Sequence, residues 1–542
     1  MALLHRMARG TKNVRRVVAA LLCASILTLP VLLTGSARAG GSLDPGFGDG
    51  GIVITNLNGS DFSLAVALQP DGKIVTAGTS DFGFVVIRYN NDGTLDKTFN
   101  SVGTVLKDFG QYNIAYGVAI QPDGKILAAG YQQNAVASEA GFSVTPLIAR
   151  YNSDGSPDAS FGSAGIATVS HAPVESAKAL AVQQDGRIVV AGNKILPSGA
   201  MRGPSAFTVS RVESDGSMDL TFGSEGKVST SFDQVDFLNT IVVQPDGKIV
   251  AVGDSGATDT GETGGRSVAI ARYNADGSLD RGFGSGGKVV TSRPQGAVGY
   301  AAALQADGKL VVTGSNGAQL LLARYNVDGT LDSSFGTGGM IGPISGEGYS
   351  VAVQSDGKIV VGGSVEGNSG DDFAIFKFNP DGSADSDFGV NGTMAADLGL
   401  SETGRAIAVE PGGRVILAGY VQKDPHSVQG TRFALLAYQP SSSARCMRSA
   451  GSGEYLTFSP DGHYKFTFCG NTEMTLSGIG AVQLDGTVLT ITDRQPDRVI
   501  KVTFDTSSST GKAKIRMVMP EGVVPFSIKS TNPNAVCSCS VR

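Results

Sequence analysis

The feature that most constrains the fold is a short motif, Gln-Pro-Asp-Gly-Lys followed by an apolar run, which recurs along this chain of 542 residues. Its seven copies, the last of them degenerate, begin at Gln69, Gln121, Gln183, Gln244, Gln305, Gln354 and Glu410. Consecutive copies stand about 50 to 60 residues apart. A repeat of this length is typical of propellers and solenoids, not of one globular domain.

A second motif alternates with the first, and residues 271–284 (ARYNADGSLDRGFG) are its clearest copy. Each unit contains four short runs rich in Val, Ile and Ala; in two of the units they include residues 65–68, 248–252, 268–274 and 288–291. Asp-Gly pairs tolerate the positive φ values of tight hairpin turns, and no helical periodicity is visible. Four antiparallel strands in each of seven units predict an all-β, seven-bladed β-propeller.

The two ends of the repeat region complement each other. The last unit has only three strand signals, at residues 405–409, 414–417 and 433–437. An unmatched strand, residues 51–55, precedes the first unit and follows a partial copy of the second motif at residues 42–48. We therefore expect this N-terminal strand to complete the last blade, which removes the exposed strand edges of an open ring.

These motifs, QPDGKIVVAG and RYNxDGSLDxxFGxxG in pattern form, resemble the delta-60 repeat family of bacterial β-propellers. The resemblance covers about residues 42–440. It implies a propeller fold in an exported protein. Because members of that family are mostly uncharacterised, it implies no catalytic residues.

The N-terminus has the features of a signal peptide. Residues 1–16 carry five basic groups and no acidic one, an apolar run covers residues 17–33, and Ala37-Arg38-Ala39 precedes Gly40. We expect cleavage after residue 39 and a secreted, periplasmic or cell-envelope location. The alternative, a retained membrane anchor, is disfavoured because the run is short and contains Pro30.

The charge of the chain limits its partners. Residues 1–39 hold six basic groups, so the remaining chain has 37 Lys and Arg against 49 Asp and Glu, a net charge of −12. An acidic chain without a basic stripe argues against binding to nucleic acid or anionic membranes. No later apolar run is long enough for a membrane span. We expect a monomer whose partner is an unidentified protein or polysaccharide.

The repeat ends near residue 440, and residues 441–445 form a small, polar linker. Residues 446–542 alternate polar and apolar positions and contain two Asp-Gly turns, which predicts a small all-β domain resembling a sandwich. In an exported protein its four cysteines favour two disulfides of open pairing, and a zinc site is the alternative. These cysteines are Cys446, Cys469, Cys537 and Cys539.

Two groups of residues are candidate Ca²⁺ ligands. The Asn-x-Asp-Gly-x-x-Asp part of the second motif offers oxygen atoms, but turn capping explains the same residues. Two loops also carry acids, and solvated surface charge is the competing interpretation for both. The loop candidates are Asp254, Asp259 and Glu262 in one loop and Glu366, Asp371 and Asp372 in the other.

Evidence for catalysis is weak. Beyond residue 39 the only histidines are His171, His426 and His463, which lie in different units, and no nucleotide-binding or hydrolase motif is present. We expect no cofactor and predict an exported binding or interaction scaffold; the alternative is a hydrolase or lyase acting on an extracellular polymer. Either activity is expected on the face that carries the variable second-to-third and fourth-to-first strand connections.

Overall fold

The computed structural model describes residues 42–81, 83–110, 112–135, 142–169, 176–195, 205–232, 235–256, 265–367, 370–422 and 430–439, together with eight strands between residues 455 and 530. The predicted signal peptide, the linker, the four cysteines and the three histidines lie outside the described residues. In the described part of the chain the regular elements are all strands. None of it is a helix of the length and apolarity that a membrane crossing requires.

Seven antiparallel sheets form the blades; in six of them the strands follow sequence order, and the seventh also includes the first two strands of the chain. Two strands precede the first complete blade, β1 (Ser42–Leu43) and β2 (Ile52–Thr55). Blade 1 contains β3 (Asp61–Leu68), β4 (Ile74–Ser80), β5 (Gly83–Tyr89) and β6 (Thr104–Lys107). Blade 2 contains β7 (Tyr112–Ile120), β8 (Ile126–Ala135), β9 (Phe142–Tyr151) and β10 (Ile166–Thr168). Blade 3 contains β11 (Ala179–Val182), β12 (Ile188–Ile195), β13 (Ser205–Val212) and β14 (Lys227–Thr230).

The later blades repeat this order. Blade 4 contains β15 (Asp236–Val243), β16 (Ile249–Ser255), β17 (Ser267–Tyr273) and β18 (Lys288–Ser292). Blade 5 contains β19 (Val298–Leu304), β20 (Leu310–Ser315) and β21 (Leu320–Tyr325). Blade 6 contains β22 (Glu347–Val353), β23 (Ile359–Glu366), β24 (Asp371–Phe378) and β25 (Thr393–Ala396). Blade 7 contains β26 (Ser401–Val409), β27 (Val415–Gln422) and β28 (Arg432–Gln439).

The predicted closure of the ring is confirmed. Strand β2 pairs antiparallel with β28, Val53 lying opposite Leu435, and β1 extends the same sheet. The first strand of every blade also packs against the first strand of the next, and β26 of blade 7 packs against β3 of blade 1. The seven first strands therefore surround a common axis.

Blade 5 departs from the predicted four strands. Its outer edge consists of two isolated bridges, one between Ala323 and Met340 and one between Gln319 and Ser345. Gly342 and Pro343 lie between these bridges, and proline cannot donate to a sheet ladder. The fourth strand of this blade is therefore interrupted.

Neighbouring blades are joined by a repeated contact around the Arg-Tyr-Asn motif. In blade 4, Arg272 pairs with Asp280 at 2.9 Å, lies over the Phe283 ring at 4.4 Å, and donates to the carbonyl of Val327 in blade 5. Blades 1, 2, 3 and 5 repeat all three contacts, through Arg88, Arg150, Arg211 and Arg324.

The C-terminal segment is described as backbone strands only. They form two four-stranded antiparallel sheets. One contains β29 (Tyr455–Phe458), β30 (Tyr464–Phe468), β31 (Thr472–Leu476) and β36 (Ile528–Ser530). The other contains β32 (Ile479–Asp485), β33 (Val488–Asp493), β34 (Val499–Asp505) and β35 (Lys514–Val518).

Candidate functional site

One residue in the first strand of each blade interrupts the ladder with the second strand. In six blades the register shifts by one residue at this point, as between Leu238 and Thr240 around Asn239. In blade 3 the amide of Lys178 bonds to the carbonyl of Ala191, and the regular ladder begins only with Ala179. A bulge re-aims the side chain of the extra residue, and bulges are common beside active sites.

All seven of these side chains line a single axial pocket of about 470 Å³, and each is half-buried. We call them the bulge ring: Leu64, Tyr116, Lys178, Asn239, Tyr300, Tyr349 and Arg405. The pocket lies toward the variable face, because the strand halves that contribute to it are those nearest the fourth-to-first connections. Its size is in the range of pockets that hold small ligands.

Aromatic rings form much of the pocket wall. The rings of Tyr300 and Tyr349 lie 5.2 Å apart between centroids, and Phe62 meets Tyr420 edge to face at 4.8 Å. Tyr112 lines the pocket beside Tyr116. The wall therefore offers apolar faces together with phenolic hydroxyl groups, a combination that binds amphipathic ligands.

Two cations, Lys178 and Arg405, are the charged residues of the described lining. The Arg405 guanidinium lies 4.4 Å from the Tyr349 ring centroid and donates a hydrogen bond of 3.2 Å to the Tyr420 hydroxyl, while its Nε has no hydrogen-bond partner. Within the described part of the chain, no carboxylate forms an ion pair with Lys178 or Arg405. Burial lowers the pKa of Lys178; the charge of Asp254 opposes this shift, and the charges of Arg266 and Arg405 add to it.

The nearest acids stand behind the lining and have partners of their own. Asp254, almost fully buried, forms an ion pair of 2.9 Å with Arg266 and accepts a hydrogen bond of 3.2 Å from Asn239. Burial raises the pKa of Asp254 to about 6, although the charge of Arg266 opposes the shift. Glu347 accepts hydrogen bonds from the hydroxyl groups of Ser315 and Tyr349. The unbalanced charge at the pocket surface is therefore positive.

The phenols of the pocket hold their protons firmly. Burial raises the pKa of Tyr300 to about 12, with the charge of Glu347 adding to the effect. Burial likewise raises the pKa of Tyr116 and of Tyr349 above the usual value. These groups are hydrogen-bond donors near neutral pH, not bases.

Of the six loop acids predicted as Ca²⁺ candidates, the structure describes four. Asp254 lies on β16 in the ion pair just described, whereas Asp259 and Glu262 lie outside the described residues. Glu366 and Asp371 are exposed and directly opposite each other on β23 and β24. Asp372 faces the other side of β24.

The Asn-x-Asp-Gly turn uses its oxygen atoms internally. Asp276 accepts hydrogen bonds from the amide and hydroxyl of Ser278, and Asp280 pairs with Arg272. Gly277 has a φ of +87°, and a Cβ there would lie 2.9 Å from the Gly223 amide of the preceding blade. Turn capping and close approach of blades account for the composition of this motif.

Sequence reasoning missed the bulge ring, although a signal for it exists. Each ring residue stands five positions before the Gln or Glu that opens the Gln-Pro-Asp-Gly motif, as Tyr300 does before Gln305 and Arg405 before Glu410. This position varies in chemistry from unit to unit while its neighbours stay regular. Such variation at one register position marks a site on a repeated scaffold.

A comparison with known families supports the interpretation of the repeats as those of a β-propeller repeat family. Six segments match the family described as a domain of unknown function (DUF5122) beta-propeller, namely residues 69–99, 121–161, 183–222, 244–283, 305–335 and 354–388. Among curated proteins, none matches this sequence.

Several solved propellers resemble this fold. Virginiamycin B lyase from Staphylococcus aureus is 11% identical, with 71% of this chain and 99% of that chain covered and a TM-score of 0.40. A PL25 ulvan lyase is 13% identical over 69% and 93% of the two chains, with a TM-score of 0.40. The periplasmic gluconolactonase of Pseudomonas aeruginosa is 12% identical over 86% and 99%, with a TM-score of 0.32. At these values the resemblances assign neither ligand nor activity to this chain.

Proposed function

We propose that this β-propeller repeat protein is an exported binding scaffold whose axial pocket holds a carboxylate-bearing oligosaccharide or the matching segment of a polysaccharide. The proposal keeps the delta-60 type of repeat, which the two interleaved motifs favour, and export, which residues 1–39 favour. The observation that carries it is the presence of Lys178 and Arg405 in one pocket without a carboxylate partner among the described residues.

Two like charges in a half-buried pocket repel each other and lose hydration, so an anion that reaches both would relieve a cost already present. Arginine can grip a carboxylate through two parallel hydrogen bonds, and lysine adds a point charge with three donors. The tyrosine rings beside them offer flat surfaces and hydroxyl donors of the kind that a sugar ring and its hydroxyl groups can contact.

The same lining favours binding over the alternative of a hydrolase. A glycosidase requires two facing carboxyl groups, whereas the described lining contributes none, and Asp254 and Glu347 are engaged behind it. The phenols with raised pKa values are poor proton acceptors near neutral pH.

The test is calorimetric titration of the protein with trigalacturonate and with maltotriose, a neutral trisaccharide. We expect binding of the charged trisaccharide only. Lys178→Met and Arg405→Met should each weaken it about 10- to 100-fold, the effect of losing one hydrogen bond to a charged group. The matched control is Lys107→Met, which removes an exposed charge from the outer strand of blade 1.

Three results would overturn the proposal. These are absence of trigalacturonate binding, equal affinity for both trisaccharides, and unchanged affinity in both pocket variants. Circular dichroism of each variant confirms that a loss of affinity does not arise from loss of the fold.

A further inference from the structure

Three carboxyl groups from blades 6 and 7 meet on the variable face, away from the axial pocket lining. We call them the acidic trio: Asp372 on β24, Asp397 directly after β25, and Glu402 on β26. One oxygen atom from each lies within 4.8 Å of the other two. Asp397 is exposed and Asp372 half-buried, so the group opens to solvent on one side.

Glu402 makes this group more than a patch of surface charge. Its side chain has no exposed area, and its Oε2 has no hydrogen-bond partner. The buried Oδ1 of Asp372 also lacks one. Within the described part of the chain, no Lys or Arg forms an ion pair with any member of the trio. Buried carboxylates are normally paired or bound to a metal ion.

Blade 1 shows how the same position is satisfied elsewhere. Asp61 stands three residues before its bulge residue, as Glu402 does, and its two oxygens accept from the Leu57 amide at 2.8 Å and the Ser80 hydroxyl at 2.5 Å. Glu402 accepts instead from the Leu400 amide, two residues before it, at 3.0 Å with Oε1.

The second bond is missing in blade 7. Ser80 lies opposite Asp61 across the strand pair, but Val421 lies opposite Glu402 and offers no hydroxyl group. One carboxylate oxygen of the longer glutamate side chain lies within 4.8 Å of an oxygen of Asp372 and of Asp397. Blade 7 thus lacks the hydroxyl donor that Ser80 provides in blade 1, and the carboxyl groups of Asp372 and Asp397 lie beside Glu402. A cluster of oxygen acceptors without a donor is an arrangement that suits a cation.

We propose that the acidic trio binds a Ca²⁺ ion. Three carboxyl groups and no His or Cys form a donor set for a hard cation, and Ca²⁺ accepts flexible coordination by six to eight oxygens, including water. The three clustered carboxylates repel one another, and one of them is fully buried, a cost that a bound dication would remove. The ion would tie blade 6 to β26. This inference does not depend on the ligand of the axial pocket.

The experiment is thermal unfolding and calorimetric titration of the chain from residue 40 onward, stripped with EGTA and then given Ca²⁺ or Mg²⁺. We expect Ca²⁺ to raise the melting temperature by several degrees and to bind with measurable heat, and Mg²⁺ to have a smaller effect because it demands a tighter octahedral shell.

Variants locate the ion. Asp397→Asn, at an exposed position, should leave the fold intact and abolish the Ca²⁺-dependent shift. Glu402→Gln should also abolish it while raising the melting temperature of the metal-free protein, because it removes one of the clustered charges. Asp371→Asn is the matched control, since Asp371 neighbours Asp372 in sequence but lies opposite Glu366.

A melting temperature that is the same in EGTA and Ca²⁺, with no heat of binding, would overturn the proposal and favour a proton shared within the trio. A shift that survives in Asp397→Asn, or that is lost equally in Asp371→Asn, would place the ion elsewhere and also overturn it.

Discussion

At the scale of single residues, the arginine of the Arg-Tyr-Asn motif explains how blades of one pattern form a ring. It combines an ion pair, a cation–π contact and a hydrogen bond to the next blade. In blade 6 the role falls to Lys377, 3.6 Å from Asp385 and over Phe388. At the closure, Arg414, directly before β27, takes it, pairing with Asp44 and donating to the Asn91 carbonyl of blade 1.

Replacing Arg272 by Ala should lower the free energy of unfolding by about 2 kcal/mol, because the half-buried Asp280 keeps only Lys248, at 3.5 Å, as a charge partner and the hydrogen bond to the Val327 carbonyl is lost. Arg272→Lys should cost less, since blade 6 uses Lys377 in the same role. Urea unfolding measures both variants, with Arg281→Ala, at an exposed position, as control. A loss in Arg272→Ala no larger than in the control would contradict this account of blade linkage.

Asp254 predicts a dependence of stability on pH. Its pKa of about 6 in the folded protein exceeds its ordinary value of 3.8, so the folded state binds more protons between these two values. The contribution of Asp254 to stability must therefore fall as pH rises from about 4 to about 6. The Asp254→Asn variant has no carboxyl group at this position, so its stability does not fall for this reason.

The difference in unfolding free energy, variant minus wild type, should thus increase across that window and stay level above it. Urea unfolding at pH 4, 5, 6 and 7 measures the difference, in which titrations common to both proteins cancel. A difference that is constant with pH, or one that decreases, would contradict the assignment.

At the scale of the strand, the turns were predictable and the pocket was not. Asp-Gly dictates a tight turn through backbone geometry alone, so the hairpins and the split last blade follow from sequence. The first strands begin earlier than predicted: β3 starts at Asp61, whereas its apolar pattern begins near residue 65. The bulge at Leu64 interrupts the alternation there and hides the half of the strand that lines the pocket.

The acidic trio could be predicted from the sequence only in part. Asp372 was a sequence candidate, but its partners Asp397 and Glu402 belong to a different connection and the next blade. Only the ring geometry brings these three together. Propeller topology predicts which connections share a face, but not which side chains meet there.

Strand β2 allows a test of closure. Starting the chain at residue 56 removes the strand that pairs with β28, together with Asp44, the partner of Arg414. We expect the shortened protein to melt at a lower temperature and to self-associate through the exposed edge of β28. Size-exclusion chromatography with light scattering measures this against a control starting at residue 40. A shortened chain that stays monomeric with an unchanged melting temperature would contradict the closure.

At the scale of the molecule, the chain combines an acidic composition with a positively charged axial pocket. Regular contacts between blades hold seven first strands around one axis, and their bulges place seven chemically different side chains in one cavity. The repeats thus supply the scaffold, and a single varying position in each supplies the chemistry of the site. The negative exterior would disfavour weak, nonspecific association of polyanions elsewhere on the surface.

The most direct measurement of the central claim is a crystal structure of the protein with trigalacturonate. We expect a galacturonate carboxylate within hydrogen-bonding distance of both the Lys178 ammonium and the Arg405 guanidinium, with a sugar ring against the Tyr300 and Tyr349 side chains. Ligand density located outside the bulge ring, or an axial pocket that stays free of ligand at saturating concentration, would contradict it.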